Sequence, residues 1–179
     1  LAAGNVGRWL FNSALVALLV TVVTMALSLM AAYAFSQLRF RGRNLVFAIT
    51  MLAFLVPFEA LLVPLFRMMN QLGLINSYAG IVLPQVVAPV VIYVFKQFFD
   101  GLPRDFEEAA RIDGAGFWTI YARIVLPLSR PIIAAMAIVT FIGVWNNLIL
   151  PLFVVTNPDL MTIPVGLATV QGSFGQRAS

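Results

Sequence analysis

The chain has 179 residues, of which 61% are hydrophobic and 10% charged, with a net charge of +4. A soluble domain carries about a quarter charged residues, and a core of this length cannot hide so much apolar surface, so lipid surrounds most of the chain. The basic balance does not indicate nucleic acid, because the arginines sit at the ends of apolar runs, and the lack of cysteine and histidine excludes disulfides, thiolate metal sites and the commonest general base.

The chain opens on Leu1 rather than Met and reads as a fragment. From Trp9 to Leu38 no charged residue occurs over 30 positions. About 20 suffice to cross the hydrocarbon, which predicts a first transmembrane helix over 9–38, tilted or emerging at one end. Asn12 or Ser13 is placed to cap its start. Ala14, Ala17, Thr21, Thr24, Ser28 and Ala31 recur at alternating steps of three and four, laying small residues along one face where a neighbouring helix can approach.

Arg39, Arg41 and Arg43 close that run. A second span is predicted over 44–66, interrupted by Pro57, Glu59 and Pro64, and a third over 78–98, with Pro84 and Pro89 inside it. The fourth covers 131–156, kinked near Pro151. Prolines of this kind are tolerated where neighbouring helices or water satisfy the freed carbonyls. They fit broken helices around a pathway or kinks in structural spans. The resulting fold class is all-α and polytopic, with about four transmembrane helices.

Four crossings place 39–43 and 96–130 on one side, which holds eight of the eleven Lys and Arg and leaves Arg8, Arg67 and Arg177 opposite. The positive-inside rule makes the richer side cytoplasmic. Five of the seven acidic residues (Asp100, Asp105, Glu107, Glu108, Asp113) fall within the loop over 99–130. Pro103 suits a first helical position, and the acids in the opening turns complement the helix dipole. Glu107 and Arg111 form an i,i+4 pair in the better orientation. Gly114 follows, where a left-handed cap needs glycine. Phe117, Ile120, Tyr121 and Ile124 then recur at helical spacing, and Pro127 is expected to stop that second short helix. By itself this helix–turn–helix fits a solvated loop or an amphipathic hairpin on the membrane surface.

Glu108-Ala109-Ala110, three residues, Gly114, nine residues, Ile124, one residue, Leu126-Pro127 resembles the cytoplasmic "EAA" signature of ABC-importer permeases at every signature position, with Asp113 and Ala115 matching its common D-G-A form. Phe40-Arg41-Gly42-Arg43, Pro57-Phe58, Gln97-Phe98-Phe99 and Trp145-Asn146-Asn147 are similar to the carbohydrate-importer branch, which includes the smaller permease of maltose transporters. The resemblance implies a type-I importer permease in a bacterial-type cytoplasmic (inner) membrane. Its partners would be an ABC ATPase dimer, a second permease subunit, an external solute-binding protein and the lipid bilayer. The loop would be the coupling helix, with Glu108 pairing with a basic residue of the ATPase. This chain would bind no cofactor, with ATP and Mg held on the ATPase. Consistently, no G-x-x-x-x-G-K-[ST] loop is present, since the sole lysine, Lys96, precedes Gln97. The chain would thus be a transport subunit rather than an enzyme. Family members have six spans, so the first and last are expected to be missing here.

Solute-pathway candidates are Trp145, Asn146, Asn147 and Glu59. An aromatic face beside amides suits sugar binding, and equally suits interhelical hydrogen bonding with an interfacial Trp. Glu59 is an acid inside a span, and so a functional candidate or simply solvated. The polar, glycine-rich tail over 162–177 resembles the family's loop that reaches toward the binding protein, through Gln171, Gly172 and Ser173. A non-sugar solute such as a polyamine or phosphate is the alternative within the superfamily. An ion-gradient-driven transporter, resting on Glu59, and a membrane scaffold are the rivals outside it.

Overall fold

The computed structural model describes residues 6–103 and 105–175, with side-chain surroundings through Gln171. All regular structure among them is helical. Helix α1 (Val6–Gln37) is by itself long and apolar enough to cross a membrane. Helices α2 (Arg43–Phe54) and α3 (Phe58–Gln71) form one broken pair. Helix α4 (Tyr78–Val82), extended by a 3-10 turn to Gln85, and α5 (Pro89–Asp100) form a second. Helix α6 (Asp105–Ile112) follows, then α7 (Phe117–Leu128) and α8 (Arg130–Trp145), which meet at 74°. The chain ends in α9 (Ile149–Val154) and α10 (Ile163–Gly175). Counting each bent pair as one crossing, up to four segments have the length and composition of a span.

The small-residue stripe on α1 is inward-facing. Ala17, Thr21, Thr24 and Ser28 are buried, while Leu18, Val22 and Leu27 on the other side are exposed. The Thr21 and Thr24 hydroxyls make no hydrogen bond among the described residues. The stripe therefore offers small volume for close approach rather than polar bonds.

The chain divides into two compact units. One comprises Leu1–Val23, Val56–Val86 and Val139–Ser179. Its core gathers Val16, Val20, Ile81, Leu150, Val154 and Val155. Side-chain amides join its segments. Asn12 does not cap α1, which already begins at Val6. Buried in the second turn, it donates to the Asp159 and Met161 carbonyls, both at 2.9 Å, and accepts from the Tyr78 hydroxyl at 2.8 Å. Ser13 accepts from the Ile163 amide at 2.8 Å, so it caps α10 from a distance. Asn76 bridges in the same way to Thr156 and Asn157. A buried amide left unpaired costs free energy, and Asn12 finds its partners far along the chain.

In this unit the expected kink at Pro151 is displaced. The helix breaks at 146–148, and Pro151 is the third residue of α9. A helix leaves its first amides unbonded in any case, so a proline there costs little. Asn147 makes the break by turning its side chain to Gln85 (2.8 Å) and to the Leu150 amide (3.4 Å). The tail expected as a loop is the helix α10. Ser13 caps it, Val165 is buried, and Gly166 lies flat against Trp9, where a Cβ would stand 2.3 Å from the indole.

The second unit comprises Thr24–Leu55 and Val87–Ile138. Its core is aromatic, with Tyr33, Phe35, Phe95, Phe99 and Tyr121 packed among Met25, Leu29, Ile92, Ile120 and Val125. Helix α2 has no buried residue, and its Leu45, Ile49 and Leu52 are 57–66% exposed. Such an apolar exterior suits a hydrocarbon solvent.

Candidate functional site

Helix α6 carries Asp105, Glu107 and Glu108 in its first turn and Arg111 in its last, complementing the dipole at both ends. Its C-terminus is closed by a full Schellman arrangement. Gly114 takes φ +79° and its amide donates to the Arg111 carbonyl (3.0 Å), while the Ala115 amide donates to the Ala110 carbonyl (2.9 Å). The cap points the chain directly into α7.

Two faces of α6 differ. Glu107 turns inward. Its side chain is 14% exposed, it faces the Tyr33 hydroxyl, and its carboxylate lies 3.7 Å from Arg111. Ala110 packs on the aromatic core. Glu108, Ala109 and Asp113 are exposed, and Ile112, one turn beyond Glu108, is 86% exposed. The pair of Glu107 and Arg111 is thus partly a support for the loop rather than a solvated surface pair.

Helix α7 is held by its aromatic residues. Tyr33 packs against Phe117 and Tyr121, each at 5.1 Å between ring centres, and against Phe99 at 6.2 Å. Pro127 does not end this helix, as sequence alone led one to expect. Residues Tyr121–Val125 form a π turn in which the Leu126 amide donates to the Tyr121 carbonyl, and the helix continues to Leu128. The widened turn relieves the clash between a proline ring and the carbonyl four residues back. The chain turns instead at Ser129, buried, whose hydroxyl donates to the Val125 carbonyl at 2.6 Å. Ile124, Leu126 and Pro127 are all half-buried on this helix.

A network not foreseen from sequence braces the neighbouring turn. Asp100 accepts from the Ser36 hydroxyl (2.6 Å) and from Lys96 (2.5 Å), and the Lys96 ammonium also lies 5.0 Å from the centre of the Phe47 ring. Arg43 donates to the Ser36 and Leu38 carbonyls. Only the i,i+4 spacing of Lys96 and Asp100 was a usable signal. The Ser36 and Phe47 contacts depend on tertiary packing.

The pathway candidates do not converge. Trp145 stacks on Phe141 (5.7 Å, 28°). Asn146, exposed, folds back on the Ile142 carbonyl, and Asn147 is committed to Gln85. The amide of Asn147 thus serves packing between helices. Glu59 is exposed at the second position of α3, where a carboxylate complements the helix dipole. Gln171 is exposed on α10. Gly172 and Ser173 belong to the same helix, and their side chains lie outside the described residues.

The site is thus a capped acidic helix joined to an aromatic-anchored second helix, in a chain of broken apolar segments. Residues 24–179 match the model for binding-protein-dependent transport system inner membrane components, and the chain belongs to that family. It is 39% identical over 173 residues to the arabinooligosaccharides transport system permease protein AraQ of Halalkalibacterium halodurans, covering 97% of this chain and 62% of the relative. It is 36% identical over 169 residues to the sn-glycerol-3-phosphate transport system permease protein UgpE of Yersinia enterocolitica, covering 94% and 60%. A crystal structure of a bacterial ABC transporter involved in import of the acidic polysaccharide alginate superposes with a TM-score of 0.78 at 27% identity, covering 94% of this chain and 61% of that one. The chain therefore spans about 60% of the length of the curated relatives it matches.

Proposed function

We propose that the chain forms the core of a permease subunit importing a sugar or oligosaccharide across a bacterial-type cytoplasmic membrane. ATP hydrolysis takes place on a separate ATPase dimer, and α6 with its cap is the coupling helix docked on it. A second permease subunit completes the pathway, and an external binding protein delivers the solute, with exposed Gln171 on α10 a candidate contact. The observation that carries this reading is the outer face of α6. Glu108 has no partner among the described residues and adjoins an almost fully exposed Ile112, on a helix whose end is rigidly capped. A charge beside an uncovered aliphatic side chain is a surface that a protein partner covers.

Relatives named for arabinooligosaccharide, diacetylchitobiose and lactose systems support a carbohydrate solute. A phosphorylated polyol is the second reading, favoured by the relative named for sn-glycerol-3-phosphate. Glu59, at an ordinary helix-start position, lends no support to an ion-gradient mechanism.

The test is solute-stimulated ATP hydrolysis by the full complex in liposomes. Truncating one partner of a desolvated charge pair costs about 2–5 kcal/mol, so Glu108→Ala should lose at least tenfold in coupled activity with membrane insertion unchanged. Glu107→Gln, which keeps the shape of the inward-facing side chain, should retain most of it. Equal losses would make the outer face of α6 an ordinary solvated one and overturn the assignment of Glu108.

A further inference from the structure

An open groove of about 1140 Å³ runs between the turn over 36–45 and the first turns of α6. Arg39, Arg41, Arg43 and Arg111 line it against Glu107 and Glu108, which leaves an excess of two positive charges. These arginines are not equivalent. Arg43 is spent on two carbonyls and Arg111 on Glu107. Arg39 and Arg41 are exposed and have no ion-pair or hydrogen-bond partner among the described residues. Phe40, between them, packs on Phe35 at 6.3 Å and fixes the turn while both guanidinium groups stay free.

The turn leads directly into α2, where Leu45, Val46, Ile49 and Leu52 are exposed on the side away from Phe47, which packs on the core. Two free guanidinium groups therefore sit where an apolar helix surface begins. Their chemistry favours bidentate binding of a phosphodiester, and the adjoining surface favours acyl chains. From this juxtaposition we infer that the groove is a binding site for the headgroup of an anionic phospholipid, with Arg39 and Arg41 on the phosphate and α2 along the chains. Basic pockets at the cytoplasmic edge of membrane helices recognise such headgroups. The site rests on the membrane orientation in the functional reading and not on the solute, and through Glu108 on one wall it adjoins the proposed ATPase contact.

The experiment titrates the detergent-purified full complex with dioleoyl phosphatidylglycerol, and separately with dioleoyl phosphatidylcholine, counting bound lipid by native mass spectrometry. Each arginine near an anionic lipid contributes about fivefold in affinity. Arg39→Gln should weaken phosphatidylglycerol binding about fivefold, and Arg39→Gln with Arg41→Gln roughly 25-fold. Arg8→Gln, which breaks an ion pair with Asp159 in the other unit, should leave it unchanged. Should the double variant fail to assemble, Arg39→Lys with Arg41→Lys keeps the charge but not the bidentate geometry, and should bind with intermediate affinity. Equal retention of both lipids, or undiminished binding in the variants, overturns the site. If the arginine variants release the ATPase while lipid counts hold, the groove is a protein interface and the lipid assignment fails. Inorganic phosphate that competes fully with phosphatidylglycerol would show a site for free anions and likewise overturn it. Labelling of a Gly42→Cys variant from outside intact cells would refute the orientation while leaving the lipid count as a separate reading.

Discussion

Gly114 holds a conformation that a β-branched side chain reaches only at a cost of about 1–2 kcal/mol, yet nothing lies within 4 Å of where its Cβ would stand. The demand is conformational and not one of space. Gly114→Asn, which visits left-handed backbone readily, should therefore keep most solute-stimulated ATP hydrolysis, and Gly114→Val should lose much of it. Equal losses would mean that the glycine is needed for contact with a partner. This position was legible in the sequence because its cap is local, closed by bonds to Ala110 and Arg111. Asn12 was not, because its acceptors lie 147 and 149 residues further on, and spacing rules carry no such information. Nor was the inward turn of Glu107, which depends on where Tyr33 arrives.

Among the elements, α10 shows why a polar, glycine-containing segment is a helix. Its first glycine, Gly166, is a point of close approach, not a point of freedom. A methyl group at Gly166 would enter the Trp9 ring, and overpacking of this kind costs roughly 1–3 kcal/mol. Gly166→Ala should lower the Tm of the purified protein, and Trp9→Leu in the same chain should recover part of the loss. Absence of any recovery would show that the cost arises elsewhere. The broken helices around Pro57 and Pro89 were readable, since both prolines stand at helix starts, as the N-cap of α3 and the first residue of α5. The break at 146–148 was not, because Asn147, and not Pro151, makes it through a partner on another segment.

For the whole molecule, charge follows the division into units. Among the described residues, Arg39, Arg41, Arg43, Lys96, Arg111, Arg123 and Arg130 belong to the unit built from Thr24–Leu55 and Val87–Ile138, and Arg8 and Arg67 belong to the other. The proposed orientation follows from that asymmetry. Single cysteines at Gly42 or Gly116 should react only with reagent on the cytoplasmic side, and those at Asn70 or Asp159 only from outside. Reaction of Gly42 and Asn70 from one face would overturn it. Chain-wide patterns of this kind are what composition conveys well. The aromatic cluster that carries α7 is not, since its rings come from α1, α5 and α7 together.

The π turn over Tyr121–Val125 has a consequence for length variation. Removing one residue from a helix ordinarily swings everything beyond it by about 100°. A turn closed by a bond five residues back already holds one residue more than an α turn does, and exposed Ala122 lies within it. Deleting Ala122 should therefore leave the faces on either side in phase. What disappears is the slack around Pro127, whose ring would meet the carbonyl four residues back at a cost of about 3 kcal/mol. Deletion alone should destabilise the purified protein in thermal unfolding, and deletion combined with Pro127→Ala should be tolerated. The segment thus carries a spare residue that only its proline requires.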